Sequence, residues 1–499
     1  MLNHIRSAVK NSLIYSAGNF STKLIGLILI PLYTDQLSTA EYGILGMVEV
    51  TTQILIAVFG LSLFSAFFRW YWDKEYTKKQ NSIFFTILFF VFGVSLILIL
   101  TLSLFSDSFS LLLFNNSTYS YLIKLMLITA GLETVAIVPS TLIRLQEKPV
   151  LFSTGNILRL IVSLTFTIYF VAFLDKKVEG IYQAQIIGNL SYFLFLSRFI
   201  WKNIKFSFET KILKGMIYYS LPLVFSSVSG VLLSITDRYV LKFFTDLSDV
   251  GIYNLGYKMA NTIKVFLVSS INLAIFPIIF KMINDPDNKR FYSKIMTYCG
   301  YVVMFAVLGL SFFGKEIIKF LAQSVDYWDA YKVIPIISFA IFFGMLKDIS
   351  FIGLHLKKKT KIIASVIISV MVLNLLLNIA LIPLWKSMGA AIATLFSQIT
   401  YFLIIYLYAK KYYHIPYEIP KVVKMTLLGL VLYAISLLTS NMNLCWRLIL
   451  KSILLVAFPV FLYFLKFYEE IELLRLKQAW KKWSNIKKLK GNIKKINFR

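Results

Sequence analysis

Apolar stretches of about twenty residues follow one another along almost the whole chain, separated by short links that carry most of the lysines and arginines. Within each stretch the apolar positions are continuous rather than alternating with polar ones. That excludes a membrane barrel and predicts helices able to cross a hydrocarbon core about 30 Å thick. A first series of spans is predicted near 11–34, 43–68, 82–105, 120–143, 150–174 and 178–200. A second falls near 216–240, 251–280, 295–314, 331–353, 361–382 and 388–409, with a further pair near 422–440 and 446–466. The expected fold class is an all-α integral membrane protein with about 14 transmembrane helices.

Composition agrees: 58% of the 499 residues are hydrophobic and 15% charged, against roughly 45–50% and 25% in a soluble domain. A formal net charge of +28 would suit nucleic acid if it were gathered on one face. Here Lys and Arg sit in alternate links, as the positive-inside rule requires, so no nucleic-acid partner is expected. The same bias puts both termini in the cytoplasm and the protein in the inner (cytoplasmic) membrane. The first apolar run lacks a small-residue cleavage site and reads as a span, not a removed signal peptide. Short links leave no room for a separate soluble catalytic domain. Cys299 and Cys445 have neither CxxC spacing nor a partner cluster, so no metal site or disulfide framework is expected. The tail, 469–499, is a basic amphipathic stretch suited to an anionic cytoplasmic leaflet.

The chain repeats itself. YTDQLSTAEYGILG from Tyr33 returns as FTDLSDVGIYNLG from Phe244, with Gly43 and Ile44 aligned to Gly251 and Ile252 at an offset of about 208. LIRLQEK from Leu142 and GLHLKKK from Gly353 agree on nearly the same period. Each repeat holds an even number of spans, so both halves keep one orientation and are related by an axis along the membrane normal. The expected organisation is a six-helix lobe over 1–205, a second over 206–411, a two-helix hairpin over 412–468 and the tail. Such a pair of lobes can rock about a cavity at their interface.

Charges within spans cost about 2.5–3.5 kcal/mol each at mid-bilayer, so each needs water, a partner or a task. In the first span Ser12, Ser16, Asn19 and Lys23 share one helix face. In the eighth, Asn254, Tyr257, Lys258, Asn261, Lys264 and Asn272 occupy one arc, and Arg159 shares a face with Asn156 and Ser163 in the fifth. Asn19, Lys23, Arg159, Lys258, Asn261 and Lys264 are the expected substrate-binding residues of a cationic lumen. Glu49, Glu133 and Asp237 are candidates for ion pairing or for coupling to a proton or sodium gradient. Lys332, Lys347 and Lys451, near span ends, read as snorkelling side chains. No other cofactor is expected.

NFSTKLIGLILIPLYT with the following AEYGILG, and DRYVLKFFTDLSDVGIYNLGYKMA in the second half, resemble the Wzx-like flippases. These form the polysaccharide transport branch of the multidrug, oligosaccharidyl-lipid and polysaccharide exporter superfamily, which also contains the MATE transporters. The resemblance implies a lumen between two six-helix lobes, through which the sugar and pyrophosphate head of a polyprenyl-pyrophosphate-linked oligosaccharide passes while its tail stays among membrane lipids. It also implies a polysaccharide polymerase and glycosyltransferases as partners, and a transporter rather than an enzyme. Basic residues on the first and eighth spans of related lipid II flippases correspond in position to Lys23 and to Lys258 or Lys264, with lysine standing where those proteins use arginine. Two other readings compare less well: an ion-coupled multidrug exporter of the same fold would need an acidic and aromatic cavity, whereas deep bases outnumber deep acids, and an integral-membrane glycosyltransferase or polymerase would need a sizeable external loop, which the short links do not supply.

Overall fold

The computed structural model describes residues 26–470 and 472–474, apart from 273–274, 276–278, 280–281, 283–284 and 358. Every regular element among these residues is helical. The first repeat comprises α1 (Ile30–Gln36), α2 (Thr39–Phe59), α3 (Leu63–Tyr71), α4 (Gln80–Leu104), α5 (Ser106–Phe114), α6 (Ser120–Leu145), α7 (Pro149–Ile168) and α8 (Lys177–Asn203). The second comprises α9 (Thr210–Phe244), α10 (Leu247–Ile263), α11 (Asn288–Leu321), α12 (Ile334–Leu356) and α13 (Thr360–Tyr412). Two more helices follow, α14 (Ile419–Leu438) and α15 (Leu444–Phe464).

Local chemistry sets the helix starts. Ser38 caps α2, accepting from the Glu41 amide while the Glu41 carboxylate accepts from the Ser38 amide. Asp246 caps α10 by accepting from the Asp249 amide at 2.8 Å. Pro149 and Pro335 stand in the first turns of α7 and α12, where a missing N–H costs nothing. The two caps, Ser38 and Asp246, lie at the repeat offset of 208.

Ten helical segments among the described residues are long and apolar enough to cross a bilayer. One of them, α13, covers the two spans expected at 361–382 and 388–409 and bends between them at Lys386, whose backbone has φ 47°. The more polar α8 and α10 stand where the sixth and eighth spans were expected. The second expected span is broken: α2 ends at Phe59, and Leu61 and Ser62 both adopt left-handed backbone (φ 44° and 50°) before α3 begins.

The chain forms two compact units, Met1–Tyr292 with Gly314–Pro416, and Ser293–Phe313 with Tyr417–Arg499. The first holds the first repeat and the second repeat apart from Ser293–Phe313 of α11, and its apolar interior includes Phe67, Phe84, Ile87 and Leu142. In the second unit Tyr301 stacks on Phe458 and meets Phe467 and Tyr468.

Candidate functional site

The two repeats meet along α2 and α10, where small residues let backbones approach closely. A methyl group on Gly43 would collide with the Leu247 carbonyl, and one on Gly251 with the Thr39 carbonyl. The contact is reciprocal, as it must be where a surface meets its own equivalent across a twofold axis. Thr39 Oγ1 and Ser248 Oγ add a hydrogen bond of 2.7 Å beside it, and Asn254 packs over Gly46, again at the repeat offset. From the link between α11 and α12, Tyr327 donates to the Leu37 and Ser38 carbonyls that open α2. Burial holds the Tyr327 hydroxyl above its ordinary pKa, so it stays a donor.

About two helical turns beyond the glycine crossing lies a chamber of about 540 Å³, lined by α1, α2, α6, α7 and α8 of the first repeat, with Lys258 reaching in from α10. Glu49, Glu133, Arg159 and Lys258 bring charge to it, and Tyr33 and Tyr182 bring rings. The charges are paired. Lys258 Nζ lies 3.1 Å from Glu49 Oε1, joining the second repeat to the first, and Arg159 is bonded to Glu133 across α6 and α7. Lys258 also lies 5.5 Å from the centre of the Tyr42 ring. Thr52, Gln53, Asn156, Ser163, Thr167 and Gln185 add uncharged polar groups to the lining.

Sequence reasoning gathered Arg159, Lys258 and Lys264 into one cationic lumen. The structure brings Arg159 and Lys258 together but sends Lys264 elsewhere. The helix from Lys258 to Lys264 is regular, and six residues at about 100° each set the two side chains roughly 120° apart, so they open into different spaces; the π-turn over Lys264–Val268 turns only the residues that follow. Lys264 lines a second, smaller pocket of about 60 Å³ with Tyr257, Asp237, Lys347, Asp348 and Gln398. The described chamber also departs from a purely cationic lining, since its two bases are matched by two acids. Asn261 is half-buried on α10, and Asn19 and Lys23 lie outside the described residues.

Asp237 forms a buried pair with Arg238 at 3.1 Å and accepts from Tyr253. Arg238 reaches further, to Asn254 Oδ1 at 3.2 Å and over the Tyr257 ring at 4.1 Å. Lys347, expected to snorkel, instead pairs with Asp348 at 3.0 Å, and Asn272 donates to the same carboxylate. Lys451 is buried rather than extended toward an interface. The Lys347–Asp348 doublet was visible as two adjacent charges inside an apolar run. Tyr33 and Tyr182 had no such signal among so many aromatic residues.

This arrangement, two helical repeats meeting at a reciprocal glycine crossing beside an internally charged chamber that Lys258 of the second enters, defines a multi-pass membrane protein of transporter fold. The lipid II flippase MurJ in an inward closed conformation superposes with a TM-score of 0.72 at 16% identity, over 91% of this chain and 99% of that one. An inward-facing multidrug resistance MATE family transporter of the MOP superfamily gives 0.63 at 13% identity, over 81% and 97%. These likenesses establish the fold. The chain belongs to the polysaccharide biosynthesis protein family, whose model matches residues 8–283, more than half its length. Among curated relatives, the uncharacterized membrane protein MJ1068 of Methanocaldococcus jannaschii is 26% identical over 196 residues, 38% of each chain. The probable flippase AglR of Haloferax volcanii is 27% identical over 171 residues, 32% of this chain and 35% of AglR. The chain thus matches little more than a third of the length of these two relatives.

Proposed function

We propose that the chain is a flippase that carries a polyprenyl-pyrophosphate-linked oligosaccharide unit across the cytoplasmic membrane by alternating access. It would serve the assembly of a surface polysaccharide such as an O-antigen, a capsule or an exopolysaccharide. Its termini lie in the cytoplasm on this reading, and a polymerase and glycosyltransferases act beside it. Family membership and the MurJ-like fold support the class of cargo. The observation that carries the proposal is the Lys258–Glu49 pair, which ties one repeat to the other inside the chamber.

A pyrophosphate in a restricted dielectric attracts ammonium and guanidinium groups far more strongly than in bulk water. Arg159 offers a planar fork that fits two phosphate oxygens, and Lys258 a compact charge with three donors. An anionic head competing for Lys258 displaces Glu49, loosens the link between the repeats and leaves a carboxylate free to take a coupling proton or sodium ion. Substrate binding and the rocking motion are then one event. Asp237, Lys264 and Asn261 sit on the second-repeat side, where they follow the motion rather than grip the head.

The test is transport in vesicles of a fluorescent polyprenyl-pyrophosphate-linked saccharide, read by quencher accessibility. Arg159→Gln and Lys258→Gln should each slow it at least tenfold while the protein still inserts. Undiminished transport in both would overturn the site. The carboxylates and tyrosines of the same chamber also favour an organic cation as cargo. Efflux of such cations without movement of the saccharide lipid would replace the proposal by the multidrug reading.

A further inference from the structure

The bilayer-facing side of the first repeat holds a feature that the chamber does not use. Helices α4, α6 and α8 part around a groove of about 580 Å³, walled by hydrocarbon except for one serine hydroxyl. Its α4 wall is a stripe at helical spacing from Phe85 through Phe89, Phe92 and Leu96 to Ile99. The groove is open along its length, for Phe89 is 59% exposed, Phe92 52% and Leu190, on the opposite wall, 53%. On α6, Leu132 faces the groove while its neighbour Glu133 faces the chamber, so one helix separates the two.

Length and charge select the occupant. Phe85 to Ile99 spans about 21 Å of helix, whereas one leaflet of a core about 30 Å thick offers roughly 15 Å. A fatty acyl chain stays within its leaflet, so the groove is longer than such a chain requires. Lysines are gathered at one end: Lys78 and Lys79 precede α4, Lys79 being paired with Glu209 at 2.9 Å, and Lys202 and Lys205 lie beside Ile204, where Phe206 packs on Phe85. The far end carries Lys124, one turn beyond Ile128. A long apolar chain with an anionic head at its end matches this layout. We infer that the groove is a binding site for the isoprenoid chain of a polyprenyl phosphate carrier lipid, with its phosphate at the lysine-rich end. The aromatic stripe offers ring faces to a methyl-branched, unsaturated chain that crosses the midplane.

The inference rests on the flippase reading for the source of the chain, but binding alone tests it. The purified protein, in nanodiscs of phosphatidylethanolamine and phosphatidylglycerol, is exposed to a diazirine-bearing C55 polyprenyl monophosphate. Parallel samples receive a diazirine phosphatidylglycerol with 18-carbon chains. The C55 probe should label peptides containing Phe89–Ile99 or Ile128–Val135 at least tenfold above the phospholipid at equal mole fraction. Leu96 and Leu190 are exposed, so Leu96→Trp with Leu190→Trp can fill the groove without touching the interior. This variant should lose that labelling tenfold and keep its melting temperature. Equal labelling by both probes, or C55 labelling spread over the whole lipid-facing surface, would overturn the site. Groove labelling in a protein that moves no saccharide lipid would sink the flippase reading and leave the site standing. Unchanged labelling in the filled variant would sink the site and leave the flippase reading standing.

Discussion

Lys258 and Glu49 are each partly exposed to the chamber, with 20% and 30% of their side chains accessible, so their pairing is neither a surface contact nor a fully desolvated one. Removing one partner of a buried pair costs about 3–5 kcal/mol because the other charge is stranded. Water in the chamber screens part of that, which brings the expected cost of Lys258→Met or Glu49→Gln to about 1–3 kcal/mol. Combining Glu49→Lys with Lys258→Glu should recover most of this in thermal unfolding, because the pair is restored, but should not recover transport, because the base has left its helix. A second residue-scale expectation concerns the break after α2. Leu61 holds φ 44° without being glycine, a conformation that costs an L-residue about 1–2 kcal/mol. Leu61→Gly relieves that strain but loosens the unfolded chain, leaving a net gain of at most about 1 kcal/mol. A fall in melting temperature would show that packing of the leucine side chain outweighs the strain.

The crossing of α2 and α10 is an element-scale device, since neither glycine has a role until the other helix arrives. Gly251→Val puts a branched side chain against the Thr39 carbonyl, and no rotamer change removes its first carbon. The helix ends must then separate. With Cys299 and Cys445 replaced, a Thr39→Cys, Ser248→Cys pair should form a disulfide readily, because the two native hydroxyl oxygens are 2.7 Å apart. Adding Gly251→Val should cut the rate of that cross-link at least tenfold, measured by gel mobility with and without reductant. Cross-linking at the original rate would mean that the close approach does not hold this end shut. The cross-linked protein should also stop transporting, as a transporter locked on one side must.

At the scale of the whole molecule, what the chain announces and what it hides follow from range. Helix existence was legible because length and apolarity are local, and the repeat was legible because Gly43 and Gly251 recur with their neighbours. Pairing across the axis was legible in principle: Glu49 lies six residues past Gly43 and Lys258 seven past Gly251, so both stand at similar depth beyond the crossing. The Arg159–Glu133 pair was not, because it depends on the register of α6 against α7. The π-turn at Lys264 and the break at Leu61 were hidden too, since neither has a proline to mark it. The second unit shows the same limit, for its charges look like loop residues until they meet. Lys294 bonds both Glu418 and Glu469, Thr297 donates to Glu418 at 2.6 Å, and Lys421 lies 3.0 Å from Glu418. Burial opposes the ionised Glu418, but the hydrogen bonds from Thr297, Lys294 and Lys421 outweigh it and hold its pKa below the ordinary value. The bond from Lys294 does the same for Glu469. Carboxylates depressed in the folded state stabilise it above their unfolded pKa of about 4.3, and that contribution is lost as pH falls through the lower folded values. An environment-sensitive dye on exposed Cys445, in a Cys299→Ser background, reports this unit. Its melting temperature should fall between pH 5 and pH 3, and Lys294→Met should lower it at pH 7 and flatten the acid dependence. A variant that keeps the full acid dependence would show that this cluster does not govern the stability of the second unit.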